Sequence, residues 1–132
     1  MLAGIEALED LSLTTNGMLL AEHAQALKDA GLKRLNISLD TLNENVFQKI
    51  TRRDGLEKTL QGIDAAIECG FESIKLNTLA IKGVTEPEVS ELVRYALERN
   101  VMLRFIEFMP LDSGRSWKPE TVVSETEIVA AI

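Results

Sequence analysis

A recurring unit constrains this fold most: a short apolar segment, polar residues at its end, an amphipathic helix and a turn. The pattern predicts strands at 11–15, 34–39, 73–81 and 102–108. It predicts helices at about 19–30, within 41–50, at about 56–68, and from 85 onward. Alternating strands and helices form a parallel sheet with right-handed crossovers, so we expect an α/β fold with about four parallel strands and outer helices.

Three of the predicted strands carry polar residues at alternate positions. These residues are Ser12, Thr14 and Asn16, then Asn36, Ser38 and Asp40, then Lys75 and Asn77. Strand side chains have a period of two, so each polar set lies on one face. Burying so many unpaired groups would cost roughly 1–3 kcal/mol each. We therefore expect the polar faces to line a shared, solvated or ligand-filled interior.

A closed eight-stranded barrel fills its interior with apolar layers, so this pattern favours a more open barrel around a large polar ligand. The fourth strand is less regular. One of its faces carries Arg104, Ile106 and Phe108, and the other carries Leu103, Phe105, Glu107 and Met109. We expect the second set to face the interior.

The polar residues cluster near the carboxyl ends of the strands, where parallel α/β sheets place their sites. Lys75 is a cation within a polar strand face and indicates an anionic ligand. The further candidate cations are Arg52, Arg53, Lys82 and Arg104.

Each of these residues also has a plain structural interpretation. Thr14 and Ser38 would serve equally well as caps of the following turns. Asp40 is typical of a turn or helix cap, and Lys75 of a solvated lysine. Met109 is typical of core packing.

Two segments have the pattern of a helix start with reciprocal capping. In the first, the Thr85 hydroxyl would accept from the third amide and Glu88 would reach back, with Pro87 in the first turn. In the second, Ser124 and Glu127 have the same spacing.

Composition excludes several classes of protein. The 132 residues suffice for one domain. A net charge of −7 argues against nucleic-acid binding, which needs a basic face. The single cysteine, Cys69, excludes an internal disulfide and a cysteine cluster for metal ligation. We see no signal peptide and no apolar run of about 20 residues, so we expect a cytoplasmic protein without a membrane partner.

Six segments resemble the radical S-adenosylmethionine (SAM) superfamily, and within it the GTP 3′,8-cyclase family, in order and approximate spacing. They are LTTNG (13–17), NISLD (36–40), ITRR (50–53), GIDAAIECGF (62–71), IKLNT (74–78) and RFIEFMPLD (104–112). The resemblance covers about residues 5–117 and implies an incomplete TIM-type (β/α) barrel. Residues 1–117 would form its core strands three to six, and 118–132 would begin a C-terminal region.

The resemblance also implies an activity. Members of the family are lyases that convert GTP to (8S)-3′,8-cyclo-7,8-dihydroguanosine 5′-triphosphate, the first step of molybdenum cofactor biosynthesis. They use SAM and [4Fe–4S] clusters, and molybdenum cofactor biosynthesis protein C acts next. A homodimer is left open.

Four residues match binding positions of the family by motif. Thr14 and Lys75 match residues that contact GTP, while Ser38 and Met109 match residues that contact SAM. The match assigns no catalytic residue and no metal ligand. Because the CxxxCxxC cluster motif is not in this sequence, we expect a central fragment that is inactive alone.

Two other functions fit the sequence. One is a radical SAM enzyme that acts on a peptide or another small molecule, against which the ITRR and RFIEFMPLD segments argue. The other is a non-catalytic β/α binding module, which the single cysteine fits.

Overall fold

Four parallel strands form one sheet in the order β1-β2-β3-β4 in a computed structural model that describes residues 4–5, 9–109 and 117–132. The strands are β1 (Ser12–Thr15), β2 (Arg34–Ser38), β3 (Ser73–Ala80) and β4 (Met102–Glu107). The helices are α1 (Leu20–Asp29), α2 (Glu44–Thr51), α3 (Leu56–Cys69), α4 (Val89–Glu98) and α5 (Glu125–Ala130). The alternation predicted from the sequence is confirmed.

The hydrophobic core lies between one face of the sheet and the helices. Leu35, Ile37 and Leu76 project from the central strands and are essentially fully buried. Ile63 of α3 and Leu92 of α4 are equally buried on the helix side. Removing this apolar area from water at about 25 cal/mol per Å² drives the two layers together. The opposite face of the sheet is left without a helix layer in the described part of the chain.

Helix α3 crosses directly over the turn between β1 and α1. Gly17 lies in that turn at a φ of +80°, a left-handed conformation that glycine adopts without strain. A Cβ added at Gly62 would lie 2.1 Å from the Gly17 carbonyl oxygen, so only glycine fits there. One turn earlier in α3, the Thr59 hydroxyl donates to the Asn16 carbonyl at 3.1 Å. These contacts hold the end of β1 against α3.

Side chains cap some of the helix ends, whereas the starts of α1, α3 and α4 have no side-chain cap. Asn43 caps α2, because its side-chain oxygen accepts from the Asn45 and Val46 amides. Asp40, which the sequence made a candidate for a cap, contacts β3 instead. Lys28 of α1 donates to the carbonyls of Cys69 and Gly70 and so caps the end of α3.

The predicted capping box at Thr85 is wrong. The Thr85 hydroxyl accepts from the Ile81 amide at 2.8 Å and donates to the Leu79 carbonyl at 2.6 Å, so it serves the end of β3. Glu88 contacts the segment after β2 rather than the Thr85 amide. The physical reason is burial: Thr85 is almost fully buried, and backbone groups of β3 need its hydroxyl. The second predicted box, between Ser124 and Glu127, is confirmed.

Residues 117–132 pack on the ends of β3 and β4. Val122 forms an antiparallel bridge with Ile81, and the Lys82 amide donates to the Thr121 carbonyl. The Trp117 indole donates to the Phe108 carbonyl at 2.8 Å. The division of the chain at residue 117 into a barrel part and a C-terminal region stays a prediction.

We expect Gly62→Ala to destabilise the fold by about 3 kcal/mol, because the new methyl group would meet a backbone carbonyl that cannot move aside. In an open helix the same change would stabilise by about 1 kcal/mol. Urea unfolding measures the free energy. Gln61→Ala, at an exposed neighbouring position of α3, is the control. A Gly62→Ala chain as stable as the control would contradict the close contact.

A second prediction concerns pH. Lys82 forms an ion pair with Glu127 at 2.5 Å, and with the Ser124 hydrogen bonds it lowers the pKa of Glu127 from 4.5 to about 2. A lowered carboxyl pKa stabilises the fold above the unfolded value, and this stabilisation disappears as pH falls through the folded value. We therefore expect amide exchange of α5 to become moderately faster as pH falls from 4.5 to 2, because the exposed ion pair contributes only a modest stabilisation.

Glu127→Gln should remove that pH dependence, whereas Glu125→Gln, in the first turn of α5, should keep it. Equal behaviour of the two variants would refute the assignment of the transition to Glu127.

Candidate ligand-binding face

The strand register aligns polar residues of neighbouring strands in rows across one face of the sheet. The middle row is Thr14, Asn36, Lys75 and Met102. The next row toward the carboxyl ends is Ser38, Asn77 and Arg104, and the row toward the amino ends is Ser12, Arg34 and Ser73. Partners in a parallel ladder point to the same side of the sheet. The face that carries these rows is called the polar face below.

The polar face brings together three of the four residues matched by motif. Thr14 and Lys75 are in the same row, separated by Asn36, and Ser38 is in the adjacent row. The side chains of Thr14 and Ser38 are exposed and that of Lys75 is half-buried. Met109 lies two residues beyond the end of β4 and is half exposed.

The predicted orientation of β4 is wrong. Met102, Arg104 and Ile106 pair with Lys75, Asn77 and Leu79, so they are on the polar face. Leu103, Phe105 and Glu107 pair with the buried side of β3. Hydropathy misled because β4 is the edge strand of the described sheet, where Met102 and Ile106 remain substantially exposed and Leu103 packs against the core.

A depression of about 200 Å³ near the amino-terminal half of the polar face concentrates positive charge. Its lining residues are Ser12, Arg34, Leu35, Asn36, Ser73, Lys75 and Arg104. No carboxylate of the described residues is among them, although Asp10 pairs with Arg34 from outside. We call it the cationic depression. Such a group of cations beside uncharged hydrogen-bonding side chains is suited to a polyanion.

A second depression, of about 230 Å³, lies at the carboxyl ends of β1 and β2. Its lining residues are Asn16, Met18, Ser38, Asp40, Phe47, Thr51 and Arg53. Arg52 ends α2 in a left-handed conformation, and the chain then turns so that Arg53 reaches this depression. We call it the carboxyl-end depression. Of the candidate cations, Arg52 and Lys82 line neither depression, and Lys82 pairs with Glu127 instead.

Asp40 joins the carboxyl-end depression to the neighbouring strand. Its Oδ1 accepts from the Leu79 amide at 2.7 Å. Burial raises the pKa of Asp40 above its usual 3.8, and the hydrogen bond from Leu79 opposes that rise. Thus the segment after β2 is attached to β3 beyond the last ladder hydrogen bond.

One residue of the polar face lacks a partner for a buried atom. The Asn77 Oδ1 is buried, and no hydrogen bond to it is found among the described residues. Asn77 lies between Ser38 and Arg104 in its row. An unsatisfied buried acceptor costs about 1–3 kcal/mol, and a donor on a bound molecule would remove that cost. The alternation of the sequence placed Asn77 on the polar face, but nothing in the sequence indicated that its side-chain oxygen would lack a hydrogen-bond partner.

The described residues do not fit a metal cluster. No group of three or more His, Cys, Asp and Glu side chains in them could hold a metal ion. Cys69, the one cysteine of the sequence, ends α3 and packs against the core on the helix side of the sheet. In the same described ranges, no helix has the length and apolar character that crossing a membrane requires.

Comparison with known proteins agrees with this architecture. The sequence profile of the Radical SAM superfamily matches residues 1–96, and the chain belongs to that superfamily. It is 64% identical over 124 residues to a GTP 3′,8-cyclase of Rhodopirellula baltica. The matched region covers 94% of this chain and 34% of that protein. The predicted family and fold are confirmed.

Two further relatives have the same name. A GTP 3′,8-cyclase of Listeria monocytogenes is 46% identical over 126 residues, covering 95% of this chain and 38% of the relative. A GTP 3′,8-cyclase of Acidothermus cellulolyticus is 44% identical over 133 residues, covering 100% of this chain and 37% of the relative. The chain thus spans well under half the length of these curated relatives.

Asp40 supplies a test of the carboxyl-end depression. A raised carboxyl pKa stabilises the fold below the unfolded value of 3.8, and the contribution is lost as pH rises through the folded value. Asp40→Asn keeps an oxygen for the Leu79 amide but does not titrate. We expect urea unfolding to show the Asn variant gaining stability relative to the unmodified chain as pH rises from 3.8 to neutrality.

Asp54→Asn, at an exposed aspartate of the loop before α3, is the matched control and should show no such divergence. A pH-independent difference for Asp40→Asn would mean that Asp40 titrates normally.

Proposed function

We propose that this chain is the central part of a GTP 3′,8-cyclase, in which the polar face binds GTP and SAM. The single observation that supports this most is the cationic depression, where Lys75, Arg34 and Arg104 line one hollow without a lining carboxylate. A triphosphate offers several phosphate oxygens, and lysine and arginine are the side chains that bind such groups best.

The proposal assigns GTP to the middle row of the polar face. Lys75 would hold a phosphate as a point charge, and Arg104 lies within the same depression. Thr14 presents an exposed hydroxyl two strands from Lys75 in the same row. Because parallel strands lie about 4.8 Å apart, this row separates the two side chains by roughly 10 Å, a span that a nucleotide bridges.

SAM is assigned to the carboxyl-end half of the same face. Ser38 would donate or accept a hydrogen bond, and Met109 would supply a polarizable wall for the adenine ring. The unpaired Asn77 Oδ1 lies beside Ser38 and could accept from a donor on the ligand. These are inferences from the motif match and from the placement of the side chains.

In the proposal, the residues of this chain bind and orient GTP and SAM and exclude water. None of them performs proton transfer. SAM, together with a [4Fe–4S] cluster, would supply the radical chemistry of the superfamily. Cys69 is on the helix side of the sheet and does not fit as a cluster ligand, so the cluster cysteines would come from other polypeptide. Molybdenum cofactor biosynthesis protein C would use the product, and a homodimer is compatible with the proposal.

A second candidate is a non-catalytic β/α binding module. The single cysteine favours it, since the chain cannot ligate iron by itself. It predicts nucleotide binding without consumption of SAM. Another radical SAM enzyme, acting on a different substrate, would consume SAM without dependence on GTP.

In the complete, cluster-loaded enzyme we expect Lys75→Ala to weaken GTP binding about tenfold to a hundredfold. Removing one charge-assisted contact costs about 1.5–3 kcal/mol, and 1.4 kcal/mol corresponds to a factor of ten. Titration calorimetry at several salt concentrations measures the affinity, and the salt dependence should become weaker in the variant.

Lys58→Ala removes an exposed lysine of α3 on the other side of the molecule and serves as the control. Similar losses in the two variants would sink the assignment of Lys75 to GTP. If the complete enzyme under reducing conditions leaves GTP unconsumed, the proposed activity itself is wrong.

A further inference from the structure

The segment that follows β2 is held by side-chain hydrogen bonds after the backbone ladder has ended. The Thr78 hydroxyl donates to the Leu39 carbonyl at 2.6 Å, and the Leu79 amide donates to Asp40 at 2.7 Å. Backbone polar groups at this depth need partners, and here side chains of other segments provide them. The position of Ser38 and Asp40 in the carboxyl-end depression therefore depends on groups outside it.

Glu88, at the start of α4, makes the next contacts along this segment. The buried Thr41 hydroxyl lies 2.7 Å from both carboxylate oxygens of Glu88 and donates to that carboxylate. The Leu42 amide donates to Glu88 Oε2 at 2.8 Å. The same Thr41 oxygen accepts from the Asn43 amide at 2.9 Å. One carboxylate thus fixes two consecutive residues that are 46 and 47 positions away in the sequence.

These contacts are of the stronger kind, because the acceptor is a carboxylate. Removing Glu88 would leave the Thr41 hydroxyl and the Leu42 amide without these acceptors, and each lost buried partner costs about 1–3 kcal/mol. The segment would relieve that cost by moving toward water. Such a movement would carry Asp40 with it, because Asp40 immediately precedes Thr41, and would disturb the depression that Asp40 lines together with Ser38 at the end of β2.

We propose that Glu88 is a positioning residue for ligand binding at the carboxyl-end depression, acting through Thr41 and Leu42. Glu88 does not line that depression itself. The identity of the ligand, SAM, rests on the proposed function, whereas the positioning of residues 38–42 by Glu88 rests on the hydrogen bonds alone.

The competing explanation is purely local: Glu88 would only stabilise the start of α4, where it is the residue before the first helical turn. That explanation predicts a lower free energy of unfolding, with the KM for every substrate and kcat affected to a similar extent. Positioning predicts a selective loss for the ligand bound at the carboxyl-end depression.

The variants are Glu88→Ala, Glu88→Gln and, as control, Glu91→Ala at an exposed position of α4. Glutamine can accept from the Leu42 amide and donate to the Thr41 oxygen, so it should restore both contacts. In the complete, cluster-loaded enzyme we expect Glu88→Ala to raise the KM for SAM about tenfold with less than threefold change in kcat. Glu88→Gln and Glu91→Ala should stay within about twofold of the unmodified enzyme.

A second measurement uses the 132-residue chain without any ligand. Amide exchange of Leu42 should become at least about tenfold faster in Glu88→Ala and remain near its original rate in Glu88→Gln. The inference is overturned if Leu42 exchange is unchanged in Glu88→Ala, or if the alanine variant lowers kcat and leaves the KM for SAM unchanged.

The two measurements separate this inference from the proposed function. If the complete enzyme consumes SAM without GTP dependence, the proposed function fails while the KM for SAM still tests Glu88. If no SAM is bound at all, the assignment of SAM to Ser38 is refuted together with the ligand-binding part of the inference. Leu42 exchange then decides only whether Glu88 fixes the segment.

Discussion

Parallel pairing with a side-chain period of two is the constraint on which this structure depends. Once Leu35, Ile37 and Leu76 are buried against the helices, every alternate residue of the same strands must point the other way. Register then places Thr14, Asn36 and Lys75 in one row without any separate device. The same hydrophobic burial that stabilises the sheet therefore assembles the polar face. A shift of one residue in any strand would exchange its core and its polar side chains.

The ends of the strands are controlled by different interactions. The Leu39 amide still donates to the Asn77 carbonyl of β3, and beyond it the chain uses the side chains of Thr78, Asp40 and Glu88. At the end of β1 the control is steric: because Gly62 has no side chain, α3 can approach the Gly17 carbonyl closely. Both devices act on segments next to the carboxyl-end depression. Loops that bind ligands in α/β proteins need such support, because a loop alone has few buried contacts to fix it.

The sequence allowed the four strands, four of the five helices, the polar faces of β1 to β3 and the Ser124 cap to be predicted, because each follows from local periodicity or spacing. It did not allow the face of β4 to be predicted, since an edge strand such as β4 keeps Met102 and Ile106 exposed and hides the alternation. The Thr85 pattern failed because the buried Thr85 hydroxyl accepts from the Ile81 amide and donates to the Leu79 carbonyl, so it is engaged at the end of β3. The role of Glu88 and the unpaired Asn77 oxygen depend on contacts between distant segments, which spacing does not encode.

Net charge and local charge have opposite signs in this protein, and distance decides which matters. The chain carries a net charge of −7, which repels an approaching anion at long range. At physiological ionic strength that repulsion is largely screened beyond about 8 Å. Inside the cationic depression Lys75 and Arg104 act within contact distance and meet no lining carboxylate, while Arg34 is paired with Asp10 from outside the lining. Binding of a polyanion would therefore depend on short-range contacts rather than on attraction by the whole molecule. Specificity for one nucleotide then has to come from the uncharged members of the polar face, whose positions are set by the register and by the contacts at the strand ends.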